Sequence, residues 1–187
     1  MFGYENGKKI ASLGFLLATA LIVVQLGASF FLVRALGFNP ELLSVLSLLS
    51  SVSYLLVAGG YFLMWMSRKE FLDFVTAGLA AATVVVPIFM LWILKFPAVF
   101  YSMLMALIWA ALYFSVALRA KNRNSTLALL LCGVAFFQVL SMFLPVVTGG
   151  VPADGSLRLY AMNFVSLISL AVKLGGAGLC FLATKMN

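Results

Sequence analysis

Six long apolar segments are the feature that most constrains this chain. They cover about residues 10–35, 42–66, 71–95, 97–118, 126–147 and 157–184. A helix needs ~20 mainly apolar residues to cross a bilayer, and each segment is long enough. Because only helices and closed barrels satisfy every backbone polar group in lipid, we expect an all-α integral membrane protein. Residues 1–187 are predicted to form one polytopic domain, a compact bundle of six transmembrane helices.

Composition supports lipid as the main solvent for the chain. Its 187 residues are 65% hydrophobic and 9% charged, and the mean hydropathy is +1.17. Soluble domains average roughly 45–50% apolar and about 25% charged residues. The connectors between the apolar segments are short and rich in Gly, Pro, Asn and Asp, which is typical of turns.

The basic residues predict the orientation of the bundle. The formal net charge is +7, and eight bases fall on the side that both termini share: Lys8, Lys9, Arg68, Lys69, Arg119, Lys121, Arg123 and Lys185. Arg34, Lys95 and Arg158 fall on the other side. Lys and Arg accumulate on the cytoplasmic side of membranes, so we expect both termini in the cytoplasm. This placement accounts for the basic excess without nucleic acid. The predicted location is a cell membrane, either a plasma membrane or a bacterial inner membrane.

A weak internal similarity suggests a repeat. The segments "SSVSYLLVAGGYFLMWMSRK" (50–69) and "SLISLAVKLGGAGLCFLATK" (166–185) share two serines, a Gly-Gly pair and a closing lysine. Gln25 and Gln138 occupy corresponding places in the preceding helices. Hairpin 1–2 would then be repeated in hairpin 5–6, a plan found in transporters. The alternative is chance, because Ser, Gly and Leu are abundant in membrane helices.

Lys173 is the one base near the middle of an apolar segment, since Arg34, Lys95 and Arg158 lie at segment ends. At 100° per residue, it shares a stripe of helix 6 with small or weakly polar residues: Ser166, Ser169, Gly176, Ala177 and Cys180. Small residues favour close helix contacts, so the lysine is expected to face the interior. A lysine at a helix centre costs ~2.5–3.5 kcal/mol on insertion scales. A partner for the ammonium group is therefore predicted.

No acid lies at the expected depth of Lys173. Glu5, Glu70 and Asp154 fall outside the spans, whereas Glu41 caps the outer start of helix 2 and Asp73 lies one turn into helix 3 from the cytoplasmic side. Lys173 could meet an anion from outside the chain: a partner's carboxylate, an anionic solute or a lipid headgroup. The alternative is a neutral lysine, deprotonated by burial and bonded to Tyr54 or Gln138.

Other polar residues could complete a cavity between helices 1, 2, 5 and 6. Ser50 and Tyr54 belong to a Ser/Tyr face of helix 2, and Gln25 and Gln138 lie on the flanking helices. Ordinary hydrogen bonding between helices would explain the same residues. Four glycines are predicted to allow close helix packing: Gly59, Gly60, Gly175 and Gly176. Pro87 interrupts helix 3 and is a candidate hinge or a static kink.

Several classes of chemistry are not expected. The chain has no histidine, which removes the commonest metal ligand and general base. No paired intramembrane carboxylates and no Walker, H-E-x-x-H or G-x-S-x-G motif occur. No cofactor or metal is predicted. A Ser–Lys pair using Lys173 is the remaining catalytic hypothesis, and it ranks third.

The leading functional hypothesis is a non-catalytic, transport-associated membrane subunit that works with partner chains or with copies of itself. Lys173 would meet an anionic ligand, such as a small anionic solute, or a partner's carboxylate. The alternative is a structural or assembly subunit of a larger membrane complex, with no transport path of its own.

Overall fold

The helices begin and end close to the predicted turns. The computed structural model describes residues 2–35, 40–90, 98–143 and 155–186, with side chains at 3–27, 49–90, 103–141, 143 and 167–186. Within these ranges the chain is helical throughout, apart from short turns. The helices are α1 (Phe2–Ala35), α2 (Pro40–Arg68), α3 (Phe71–Ile88), α4 (Ala98–Ala120), α5 (Ser125–Leu140) and α6 (Gly155–Met186).

Five of the six described helices are long and apolar enough to span a membrane. The exception is α5, an apolar helix of 16 residues that continues into a 3₁₀ turn at Ser141–Phe143. The predicted fifth span, 126–147, extends into residues 144–147, which lie outside the described part. A sixth crossing at α5 therefore stays a prediction.

Local chemistry explains the sharp turns at one end of the bundle. Two residues, Lys69 and Glu70, connect α2 to α3. Lys69 adopts a left-handed backbone conformation with φ of 57°. Its N–H donates to the Trp65 carbonyl at 2.6 Å, which closes the end of α2. Asn124 caps α5, because its side-chain oxygen accepts from the Leu127 N–H at 3.0 Å, one of the donors that a helix start leaves unpaired.

Sequential helices pack against one another, and α6 closes the bundle by contacting α1, α4 and α5. Backbones approach most closely between α1 and α2. A Cβ atom at Gly14 would lie 2.8 Å from the Ser53 carbonyl oxygen, and one at Gly7 would lie 2.6 Å from the Gly60 carbonyl oxygen. The start of α1, the end of α2, the start of α3 and the ends of α4 and α6 meet at one end of the bundle. We call it the basic end, because the eight bases listed above belong to these helix termini and their turns.

The outer surface of the described bundle is strongly apolar. Its exposed side chains include Leu129 at 73%, Phe136 at 61% and Phe137 at 60%. A surface of this kind is stable in contact with lipid. The fold is thus consistent with a multi-pass membrane protein, whereas the cytoplasmic placement of the basic end stays a prediction.

The first helix is longer than the membrane span predicted within it. The sequence placed the first span at 10–35, but α1 starts at Phe2, and Tyr4 is buried with 6% exposure. The first residues are therefore part of the packed bundle at its basic end. Their helical conformation is stabilised by packing, since Gly3 lies against the Ser67 side chain of α2.

Candidate functional site

Three aromatic side chains form a cluster at mid-depth in the bundle. Trp109 is the central residue of α4, which runs from Ala98 to Ala120. At 1.5 Å per residue, it lies ~16 Å from either helix end, about half the thickness of a bilayer core. Its ring centroid is 4.5 Å from that of Tyr54, edge to face, and 5.9 Å from that of Tyr113. We refer to Tyr54, Trp109 and Tyr113 as the aromatic cluster.

Lys173 lies on this cluster. Its Nζ is 5.6 Å from the centroid of the Trp109 ring, within the ~6 Å range of a cation–π contact. Since Trp109 is at the centre of α4, the ammonium group lies at mid-depth as well. One turn further along α6, Gly176 lies so close to the Tyr113 ring that a Cβ atom would collide with it. This close approach holds α6, and with it Lys173, against the aromatic cluster.

The hydroxyl groups of Tyr54 and Tyr113 are buried and interact with each other, and neither makes a hydrogen bond of standard geometry with another described residue. A buried polar group left without a partner costs ~1–3 kcal/mol. Each phenol can donate one hydrogen bond and an ammonium group three. Lys173 and the two phenols thus bring three hydrogen-bond-donating groups to one aromatic cluster.

A second charged site lies at the basic end. Asp73, the third residue of α3, forms an ion pair with Arg119, the residue before the last of α4. Their side chains are 0% and 8% exposed. From the sequence, Asp73 was expected one turn into helix 3, and Arg119 contributed only to the predicted orientation. The pairing of the two residues was not predicted, although their equal depth in two adjacent antiparallel helices was a usable signal.

Aromatic side chains enclose this ion pair. The Arg119 guanidinium donates to the Tyr4 hydroxyl at 3.1 Å and lies 5.6 Å from the centroid of the Tyr61 ring. The Tyr61 and Thr184 hydroxyls share a hydrogen bond of 2.9 Å. A second guanidinium group, that of Arg68, lies 3.6 Å from the centroid of the Tyr4 ring. The network joins α1, α2, α3, α4 and α6.

The two interior cations therefore differ in their partners. Among the described carboxylates, Asp73 pairs with Arg119, while Glu70 lies exposed, 3.7 Å from Arg68, and Glu5 is exposed. The side chains of Glu41 and Asp154 lie outside the described residues. Within the described part of the chain, no salt bridge or hydrogen bond reaches Lys173, whose contact there is the face of Trp109.

The remaining predicted polar residues have varied positions. Gln138 is buried, and its amide donates to the Ser141 hydroxyl at 3.3 Å, while its Oε1 has no described partner. Gln25 and Ser50 are partly buried and each has an interaction of its own. Ser169 is partly buried on α6. The Ser166 side chain lies outside the described residues. Of the predicted set, Tyr54 and Lys173 are brought together, both through Trp109.

The four predicted packing glycines fall into two groups. Gly60 lies against the α1 backbone and Gly176 against Tyr113. A Cβ atom at Gly59 or Gly175 would have no neighbour within 4 Å. The equivalent glycines of the proposed repeat thus contact different helices, α1 in one case and α4 in the other. The repeat stays a prediction.

Pro87 lies near the described end of α3 rather than at its centre. The α-helical conformation ends at Ile88, and the next two residues are π-helical. One turn earlier, the buried Thr83 hydroxyl donates to the Ala80 carbonyl at 2.7 Å. A hinge at Pro87 stays a prediction.

Comparisons with known proteins leave the site to be interpreted from its geometry. Models of protein families, curated proteins and solved structures give no match to the chain. Among the described residues, no group of three or more His, Cys, Asp or Glu side chains could hold a metal ion.

Proposed function

We propose that the protein is a transport-associated membrane subunit whose Lys173 binds an anionic group at mid-depth, supplied by a partner chain or by a small solute. The observation that carries this proposal is the contrast between two interior cations. Arg119 has a carboxylate in its own chain, whereas the described contact of Lys173 is the face of an indole.

The energetics favour a further ligand for Lys173. A cation–π contact contributes about 0.5–2 kcal/mol, less than the ~2.5–3.5 kcal/mol that a lysine costs at a helix centre. Lys173 is partly buried. An anion there would be attracted by the ammonium charge, and the phenols of Tyr54 and Tyr113 in the same cluster are further hydrogen-bond donors.

Lys185 provides a matched control for a test of Lys173. Both lysines are on α6, and both lie over an aromatic ring, since the Lys185 Nζ is 5.9 Å from the Phe181 centroid. Lys185 is exposed at the basic end. Lys173→Met and Lys185→Met therefore remove the same charge from the same helix, once at mid-depth and once at the surface.

Two measurements separate the two sources of the anion. The first is the native mass of the tagged chain, extracted gently from its own membrane, for the original protein and both variants. A stoichiometric partner with an intramembrane carboxylate should be lost with Lys173→Met and kept with Lys185→Met. Restoring the complex by exchanging the charges of the lysine and that carboxylate would establish the direct pair.

The second measurement is anion binding by the isolated chain. Of its three tryptophans, Trp109 contacts Lys173, so replacing Trp65 and Trp92 by Phe makes its emission a local reporter. Acetate, chloride and inorganic phosphate are titrated in turn, and a saturable change abolished by Lys173→Met would support a solute site. If Lys173→Met alters neither the mass nor the emission response, Lys173 is a structural lysine and the proposal fails. An assembly subunit without a transport path then becomes the better description.

A further inference from the structure

A groove between α1 and α6 opens at the basic end, away from the aromatic cluster and the ion pair. Its volume is about 430 Å³. Three lysines line it: Lys8 and Lys9 from the start of α1, and Lys185 from the end of α6. Glu5 also lines it and offsets one of these charges. The groove therefore has a net positive lining.

The lining changes from charged to apolar along the helix axes. On α1, Leu13 and Leu16 follow Lys9 by one and two turns, and both are exposed, at 52% and 47%. On α6, Phe181 lies one turn before Lys185. Like the two leucines, it is therefore farther from the basic end than the lysines. Since α1 begins and α6 ends at the basic end, both helices place their charges outermost and their apolar side chains deeper.

We propose that this groove binds one anionic phospholipid of the leaflet at the basic end. The phosphate would lie among Lys8, Lys9 and Lys185, and an acyl chain would lie along Leu13, Leu16 and Phe181. Basic pockets between helices at a membrane surface bind anionic headgroups. The deeper apolar lining distinguishes a lipid from a free phosphate ion, which would gain nothing from it. Charge complementarity distinguishes an anionic lipid from a zwitterionic one.

The lysines provide a charge-matched test. Lys9→Gln/Lys185→Gln removes two exposed lysines from the groove, and Lys69→Gln/Lys121→Gln removes two exposed lysines from the same end but outside it. The full-length chain is placed in nanodiscs of phosphatidylcholine with a minor fraction of phosphatidylglycerol, and lipids retained after release are counted by native mass spectrometry. Each lysine near a charged surface contributes about fivefold in affinity, so the groove variant should lose about 25-fold.

A second pair of variants tests the apolar half. Leu13→Trp fills the groove, whereas Leu17→Trp changes another exposed leucine of α1 that does not line it. Leu13→Trp should reduce retention of phosphatidylglycerol, and Leu17→Trp should not. Circular dichroism and a monodisperse elution profile establish that each variant is folded.

Four results would overturn the proposal. Equal losses in the two lysine variants would show general attraction to a basic surface. Equal retention of phosphatidylcholine would remove the role of charge. Competition by millimolar inorganic phosphate together with normal retention in Leu13→Trp would assign the site to a free phosphate ion. No retained lipid in the original chain would leave the groove without a bound occupant.

Discussion

The buried ion pair between Asp73 and Arg119 leads to a quantitative prediction of stability. Their side chains are 0% and 8% exposed, so removing either one leaves a charge with little access to water. Breaking a buried pair in this way costs ~3–5 kcal/mol. Because Arg119 also donates to Tyr4 and lies at the end of the bundle, we expect the lower end of this range. Asp73→Asn and Arg119→Met should each lower the free energy of unfolding by about 3 kcal/mol.

The double variant separates the pair from its two members. When both charges are removed, no buried ion is left unpaired, and such replacements are often close to neutral. The Tyr4 hydroxyl still loses its donor, at a cost of about 1 kcal/mol. The double variant should therefore lose no more than about 3 kcal/mol, against about 6 kcal/mol if the two single losses added, so the coupling energy between the two sites is at least about 3 kcal/mol.

Reversible unfolding in mixed micelles measures these differences. The chain in dodecyl maltoside is titrated with dodecyl sulfate and followed by circular dichroism. Glu70→Gln is the control, because Glu70 pairs with Arg68 at 3.7 Å with both side chains nearly half exposed. An exposed pair contributes about 0–1 kcal/mol. The reasoning is refuted if Asp73→Asn costs no more than Glu70→Gln, or if the two single losses simply add in the double variant.

Two further predictions use the same unfolding assay. Gly60→Ala places a methyl group against the α1 backbone near the Gly7 carbonyl, and it should lower the free energy of unfolding by about 1–3 kcal/mol. Gly59→Ala is the control: its methyl group has no neighbour within 4 Å, so it should be neutral or stabilise the helix by up to about 1 kcal/mol. Equal effects of the two variants would contradict the close packing. Tyr61→Phe removes the buried hydrogen bond to Thr184 and should cost about 1 kcal/mol, and adding Thr184→Val should then cost little, so a full additional loss would argue against that bond.

Hydropathy and turn chemistry in the sequence were sufficient to predict the helices. Each helix is specified by its own apolar residues, and each turn by residues such as Lys69 or Asn124 next to it. These interactions are short in range, so they can be read locally. The early start of α1 was missed because Tyr4 lies in a polar stretch, and its burial depends on Arg68 and Arg119 from other helices.

The interior position of Lys173 was predicted from the sequence, but the side chain that it contacts was not. The stripe of small residues on helix 6 indicated that Lys173 faces other helices, and Gly176 of that stripe does pack on Tyr113. From the sequence, Tyr54 and Gln138 were the expected neighbours of Lys173, in the alternative of a neutral lysine. The sequence did not identify Trp109, whose indole is the described contact, because which packed aromatic side chain lies beside the lysine depends on which helices become neighbours.

By itself, the sequence determined that this chain is helical and apolar, where its helices turn, and which bases share one end. These properties follow from each segment's transfer to lipid and from local backbone preferences. Only the tertiary structure decided that Asp73 neutralises Arg119 while Lys173 lies on an aromatic face. That choice depends on the rotation of each helix about its axis and on which helices become neighbours. Both are set by side-chain packing among segments far apart in the chain, which no local pattern records.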